Sequence, residues 1–195
     1  MLRRDQAMLG FGPLGSMPLG GGPMPIVDQI DRGRKLASLI VGGLIIPERQ
    51  EAEGVLVKSY AAAWIEIVQY LSEDWNLAFQ INSRAWEELL AGAFDKGGFA
   101  VTLTPHSGDH GRDVIAVKDG FGCMRILGSM KAYSPGHLVT REHVHEMLGV
   151  VNAEGATKGI IATTSDFAPK ILEAPGLATS IPYRLELMNG DQLQT

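Results

Sequence analysis

Asp113 and Lys131 are the two side chains in this sequence best suited by type and spacing to carry a reaction. They fall in a stretch, His106–Lys131, that reads as a glycine-bearing loop, a strand opened by Asp113, a connection, and a second strand closed by Lys131. The connection, Asp119-Gly120-Phe121-Gly122, is rich in turn residues. A tight turn at Asp119-Gly120 sets Asp113 opposite Ile126, whereas a longer loop centred near Phe121-Gly122 sets it opposite the Ser129–Lys131 end. Two glycines make a wide turn easy, so the longer loop is the expectation. A carboxylate and an ammonium then meet at one end of a hairpin, below a loop holding His106, Asp109 and His110. That arrangement suits metal-assisted phosphodiester cleavage. The carboxylate holds a divalent cation that neutralises the scissile phosphate, and the lysine positions or deprotonates the attacking water. The same spacing also describes a surface hairpin with solvated charges, and spacing alone leaves both readings open.

The chain that must position these residues is 195 residues long, enough for one domain with a good core plus an appendage. Apolar residues make up 45% and charged residues 20%, an ordinary globular composition. A net charge of −5 argues against a protein that coats nucleic acid without specificity. The charge is unevenly spread: Pro25–Asp95 carries −5, while Lys96–His145, which holds all five histidines, carries +2. A local positive field in an acidic protein is compatible with a site that receives a polyanion.

Residues 1–24 are rich in Gly, Pro and Met and read as a disordered tail, too broken for the apolar core of a signal peptide. Ala37–Ile46 is apolar but far short of a membrane span, so no membrane partner is expected. Ile26, Ile30, Leu36 and Ile40 suggest one helical face. Pro47 followed by Glu48, Glu51 and Glu53 suits a helix start, with a stripe running from Val55 to Leu71. Asn82 or Ser83 is suited to cap a helix containing Trp86, Leu89, Leu90 and Phe94, stopped at Lys96-Gly97-Gly98. Phe99–Thr104 reads as a strand, Thr140 as the cap of a helix ending near Gly155, and Gly159–Thr163 as a buried strand. A short helix around Phe167–Glu173, a last strand at Tyr183–Leu187 and a turn at Asn189-Gly190 complete the chain. The order implies an α/β or α+β sheet flanked by helices.

From Trp86 onward the sequence resembles the Mrr-type restriction endonuclease domain of the PD-(D/E)XK nuclease superfamily. The pieces come in the family's order. Trp86-Glu87-Glu88-Leu89 resembles its opening aromatic-Glu helix, and Gly98-Phe99-Ala100-Val101 its Gly-aromatic strand. The run from Ser107 to Ala116 resembles the Ser-Gly-Asp-x-Gly-x-Asp signature. Met130-Lys131-Ala132-Tyr133 resembles the end of the Gln-x-Lys-x-Tyr strand, and Gly159 through Phe167 the strand and Thr-Thr-Ser turn that follow.

The resemblance implies a restriction-endonuclease-like mixed sheet flanked by helices, at residues 81–195, behind a helical appendage at 25–80. It implies a Mg²⁺-dependent endonuclease (Mn²⁺ in its place) acting on double-stranded DNA, often foreign or modified DNA. Asp113 is then the metal-binding aspartate, Lys131 the catalytic lysine and Glu87 the helix glutamate near the metal. One position departs: two residues before Lys131 the family carries Gln or Glu, and here stands Ser129. A hydroxyl is a shorter and poorer ligand for a hard cation, which leaves Asp113, the backbone carbonyl of Met130, Glu87 through water, and substrate phosphate. Cutting both strands calls for two sites, hence a homo-oligomer or a larger complex. The alternative is a weakened or inactive DNA-binding or assembly subunit on the same fold.

The remaining candidates are weaker. His106 and His110 have a zinc spacing only on a helix, which Gly108 and Gly111 disfavour, so DNA contact or loop hydrogen bonding is expected. Asp109 suits a loop-fixing role, and His143 and His145 face different ways. The single cysteine, Cys123, fits a reducing compartment such as the cytoplasm and is itself expected to be a small buried hydrophobe.

Overall fold

The computed structural model describes residues 26–105, 111–171, 173–174 and 176–194. Helix α1 (Ile26–Val41) is followed by strands β1 (Ile45–Glu51) and β2 (Gly54–Ser59), helix α2 (Ala61–Glu73) and a 3₁₀ segment, Trp75–Gln80. Then come α3 (Ser83–Lys96), β3 (Ala100–Leu103), β4 (Val114–Lys118), β5 (Met124–Lys131), α4 (Arg141–Ala153), β6 (Lys158–Thr163), β7 (Leu185–Met188) and α5 (Gly190–Leu193).

The strands form one seven-stranded sheet in the order β1-β2-β3-β4-β5-β6-β7. Pairing is antiparallel from β1 to β5 and parallel from β5 to β7. Helices cover both faces. On β5, an added Cβ at Gly128 would meet Leu90 and Phe94 of α3, while Leu127 packs with Val144, Met147 and Val151 of α4. At Gly159 of β6 the helix α4 comes close, and an added Cβ would lie 2.7 Å from Val151. Among the described residues no helix is long and apolar enough to cross a membrane.

Three sequence expectations are corrected. The helix expected from Pro47 is a β-hairpin, and only Ala61–Glu73 of that stretch is helical. Within residues 25–80, read as a helical appendage, the segment 45–59 therefore extends the sheet. Pro47 is tolerated because β1 is an edge strand and the register shifts between Pro47 and Arg49. Gly54, at φ +153°, turns the chain where a Cβ would lie 2.2 Å from the Leu103 carbonyl oxygen.

Among the described residues of Phe167–Glu173 no helix forms. The Val139 amide donates to the Asp166 carbonyl at 2.9 Å, the Ala168 amide donates to Val139 at 2.8 Å, and Pro169 has no donor to continue a helix. Cys123 is exposed, because it lies in the loop ahead of β5 and not within the strand. The remaining helix and strand expectations stand to within a few residues, and Asn189-Gly190 opens the short α5.

Candidate active site

The β4–β5 register follows from its long connection. Val114 pairs with Gly128 and Lys118 with Met124, and the Asp113 amide also reaches the Gly128 carbonyl, so Asp113 stands at the Ser129–Lys131 end of β5. Strand alternation then sets Ser129 and Lys131 on one face of β5 and Met130 on the other, where its side chain packs with Trp86 and Leu89 of α3. The wide-loop expectation thus holds, and it decides which residues meet.

Asp113 is 8% exposed. Its amide donates to the Gly128 carbonyl at 2.8 Å, and its own carbonyl accepts from the Thr104 amide at 3.0 Å. Its Oδ2 accepts from the Met130 amide at 2.5 Å. Beyond Val114 the ladder has ended, and the carboxylate takes the amide that would lack a strand partner. In extended chain the N–H and C=O of one residue point the same way, which turns the Met130 carbonyl to the Asp113 side as well.

Ser129 is 2% exposed, and its Oγ has no hydrogen-bond partner among the described residues. A buried hydroxyl in that state is costly unless something else satisfies it. The oxygen set at this end of the hairpin is therefore the Asp113 carboxylate, the Ser129 hydroxyl and the Met130 carbonyl, all hard donors of the kind Mg²⁺ takes. Among the described residues no group of three His, Cys, Asp or Glu side chains converges.

Glu87 is 5% exposed on α3, whose Asn82 cap accepts from the Ala85 amide at 2.9 Å. Arg84 Nη1 donates to Glu87 Oε2 at 2.9 Å and to the Thr104 carbonyl at 3.1 Å. Thr104 Oγ1 lies 2.9 Å from the Arg112 carbonyl and 3.0 Å from that of Asp113. Arg84 and Thr104 thus tie the helix carboxylate to the hairpin. Neighbouring Glu88 has its carboxyl pushed above the usual range, chiefly by burial.

Lys131 is half-buried at the end of β5. Its carbonyl accepts from Thr163 Oγ1 at 2.8 Å, and Thr164 Oγ1 donates to the Tyr133 carbonyl at 2.7 Å. These bonds fix the backbone on either side of the lysine. The Tyr133 ring stacks on His137 at 4.2 Å.

Arg84, Thr104, Thr163 and Thr164 were not singled out from sequence. Arg84 had a signal in its i,i+3 spacing to Glu87, and Thr163 and Thr164 in the Thr-Thr-Ser turn of the resemblance, though no role was read for them. His106, Asp109 and His110 lie outside the described residues. Two of the cations counted in the positive stretch are engaged: Arg112 pairs with Glu154 and lies 3.7 Å from Glu53, and Arg125 pairs with Glu53 at 2.7 Å. Arg125 in turn holds the Glu53 carboxyl below its usual range.

Residues 79–195 match the family model Mrr_cat, a restriction endonuclease. No curated protein matches the chain. Among solved structures, the MspJI restriction endonuclease in complex with a 27-mer oligonucleotide is 20% identical, with a TM-score of 0.45, over 70% of this chain and 31% of its own. The DNA modification-dependent restriction endonuclease AspBHI is 18% identical, with a TM-score of 0.42, over 90% of this chain and 44% of its own. A protein of unknown function, AF1548, is 16% identical with a TM-score of 0.43, over 55% and 58% respectively. This chain spans less than two thirds of each of them.

Proposed function

The chain belongs to the Mrr-type restriction endonuclease family, and on that premise we propose that it is a metal-dependent endonuclease of double-stranded DNA, working in restriction or defence against foreign DNA. The observation that carries this reading is the Asp113 carboxylate, bonded to the Met130 amide beside a buried Ser129 hydroxyl that has no partner among the described residues. Asp113, the Met130 carbonyl and Ser129 would hold the cation, with Glu87 contributing through water. Mg²⁺, or Mn²⁺, bound there supplies positive charge to the scissile phosphate and makes a coordinated water more acidic. Lys131, on the same face as Ser129, would orient the attacking water and the scissile phosphate through its ammonium. The Thr163 and Thr164 bonds keep its backbone from shifting as substrate binds. Cutting both strands calls for two such sites, hence a homo-oligomer or a larger complex. The single cysteine suits a cytoplasmic setting.

The test is cleavage by Lys131→Ala beside the wild type, with folding checked by circular dichroism and DNA binding measured separately. Loss of cutting with binding retained supports the role given to Lys131; undiminished cutting overturns it. One observation favours a second reading. Ser129 reaches no partner among the described residues from the position where the resemblance expects Gln or Glu, as in a site that has lost a ligand. In that reading the chain binds DNA without Mg²⁺ and does not cut, and Ser129→Gln or Ser129→Glu restores some cutting.

A further inference from the structure

The chain leaves the candidate site through a short loop, Ala132–Thr140, that joins β5 to α4. The loop is held at both ends. The Tyr133 amide donates to the Lys131 carbonyl at 2.9 Å, which bends the chain directly after the lysine, and Thr164 Oγ1 fixes the Tyr133 carbonyl. At the other end Val139 bridges Phe167, its amide donating to the Asp166 carbonyl and its carbonyl accepting from the Ala168 amide. The tip is a tight turn, Ser134-Pro135-Gly136-His137, in which the His137 amide donates to the Ser134 carbonyl at 3.0 Å. Pro135 sets the first corner, and Gly136, at φ +85°, takes the second as a type II turn requires.

This turn lays the His137 imidazole on the Tyr133 ring, with centroids 4.2 Å apart and planes 18° from parallel. Tyr133 is half-buried and packs on the α4 side of the sheet, with the His143 ring 6.3 Å from its own. His137 is exposed. Among the described residues, neither the Tyr133 hydroxyl nor the His137 imidazole has a hydrogen-bond partner. His143 differs: its Nδ1 accepts from the Thr140 amide at 3.2 Å, a structural task at the start of α4. An exposed ring stacked on a loop already fixed at three points adds little to the core. The stack instead holds two polar ring edges in one place, which lowers the ordering cost of any contact they make.

Those edges stand beside the reacting groups. Alternation along β5 puts Leu127, Ser129 and Lys131 on the α4 face, where Tyr133 also packs. Two residues of chain span at most about 7 Å. Successive phosphates of one DNA strand advance about 3.4 Å along the duplex, so a phosphate at Lys131 brings its neighbour within reach of Tyr133 and His137. The cleft lined by Tyr133 and Phe79 has a volume of about 30 Å³, room for a water and not for a base, so what meets the two rings does so from outside. A phenol and an imidazole each keep a donor in the neutral state, and phosphate oxygens accept from both. Such donors suit a chain of net charge −5 whose Arg112 and Arg125 are already paired with carboxylates.

We propose that Tyr133 and His137 are substrate-binding residues that hold, by hydrogen bonds from the phenol and the imidazole, the DNA phosphate next to the one being cut. This rests on the nuclease reading. Tyr133→Phe and His137→Phe keep the stack and remove one donor each. Binding of a fluorescent duplex oligonucleotide is measured by anisotropy with Ca²⁺ in place of Mg²⁺, beside melting temperature and the KM and kcat of cutting with Mg²⁺. The expected result is a Kd raised about three- to tenfold by each variant, as for one hydrogen bond lost, with KM rising alike, kcat within about twofold and melting temperature unchanged. Affinity and KM unchanged in both variants would overturn the proposal and leave the stack as a brace for the loop. Affinity kept by His137→Phe but lost by His137→Ala would overturn it too, because DNA would then meet the ring face and not its N–H. A wild type that binds the duplex without cutting it, with Mg²⁺ or Mn²⁺, sinks the nuclease reading alone, and the contact stands or falls by the Kd values. A wild type that binds no DNA overturns both.

Discussion

Removing the Ser129 hydroxyl separates its structural role from its chemical one. The Oγ makes no hydrogen bond among the described residues, so Ser129→Ala loses none, and thermal stability is expected to stay within about 0.5 kcal/mol of the wild type or to rise slightly. If the hydroxyl helps hold the cation, the same variant needs more Mg²⁺ for half-maximal cutting. Ser129→Gln should behave oppositely. The longer side chain in a 2% exposed position costs about 1–3 kcal/mol of stability through overpacking. Its amide oxygen reaches further toward the cation and lowers the Mg²⁺ requirement. Melting curves beside a Mg²⁺ titration of cleavage rate check both; Ser129→Ala with an unchanged requirement would remove the hydroxyl from the ligand set.

Between elements, Asp95 makes the clearest joint. From the last turn of α3 it accepts from the Ser59 amide at 3.0 Å, the Ser59 hydroxyl at 2.8 Å and Lys58 Nζ at 3.1 Å, fastening the end of β2. Burial pushes its carboxyl upward, but Ser59 and Lys58 outweigh that and hold it below the ordinary range. A carboxyl with a depressed folded-state value stabilises above its unfolded value and loses that contribution as pH falls through the folded one. Asp95→Asn is therefore expected to lose about 1–3 kcal/mol at neutral pH, with the gap to wild type closing below about pH 4. Urea unfolding at several pH values measures it, and a gap that is the same at pH 3 and pH 7 would contradict the assignment. The joint also shows where sequence reading failed. Val55 and Leu56 fit the same helical stripe as α2, and the acids after Pro47 imitate a helix start. Only Gly54 marked a turn, and its close approach to Leu103 is a tertiary contact that no local pattern announces. By contrast, the two glycines of the β4–β5 connection made the register legible, and with it the meeting of Asp113 and Ser129. Arg84 and Thr104 were not legible, because their roles depend on α3 lying beside the end of β3.

For the molecule as a whole, the balance of charge bears on how DNA would be held. Net charge is −5, and Arg112 and Arg125 are already paired with Glu53 and Glu154. With those two arginines engaged, Lys96, Lys118, Lys131 and Arg141 are what the stretch Lys96–His145 leaves for phosphates, so DNA affinity should fall only shallowly with salt, as for fewer than about five phosphate contacts. Fluorescence anisotropy between low and moderate salt gives that slope, and a steep one would mean a basic surface beyond the pairs described. On the proposed function, Asp113 organises a metal-dependent cutting site. This is tested most directly by incubating plasmid and phage DNA with the wild type and Asp113→Ala, with Mg²⁺, Mn²⁺ or neither. Cutting that requires a divalent ion and falls at least about a hundredfold in the variant is the predicted result. Equal cutting by both proteins, or none by the wild type with either ion on modified and unmodified DNA, would contradict it.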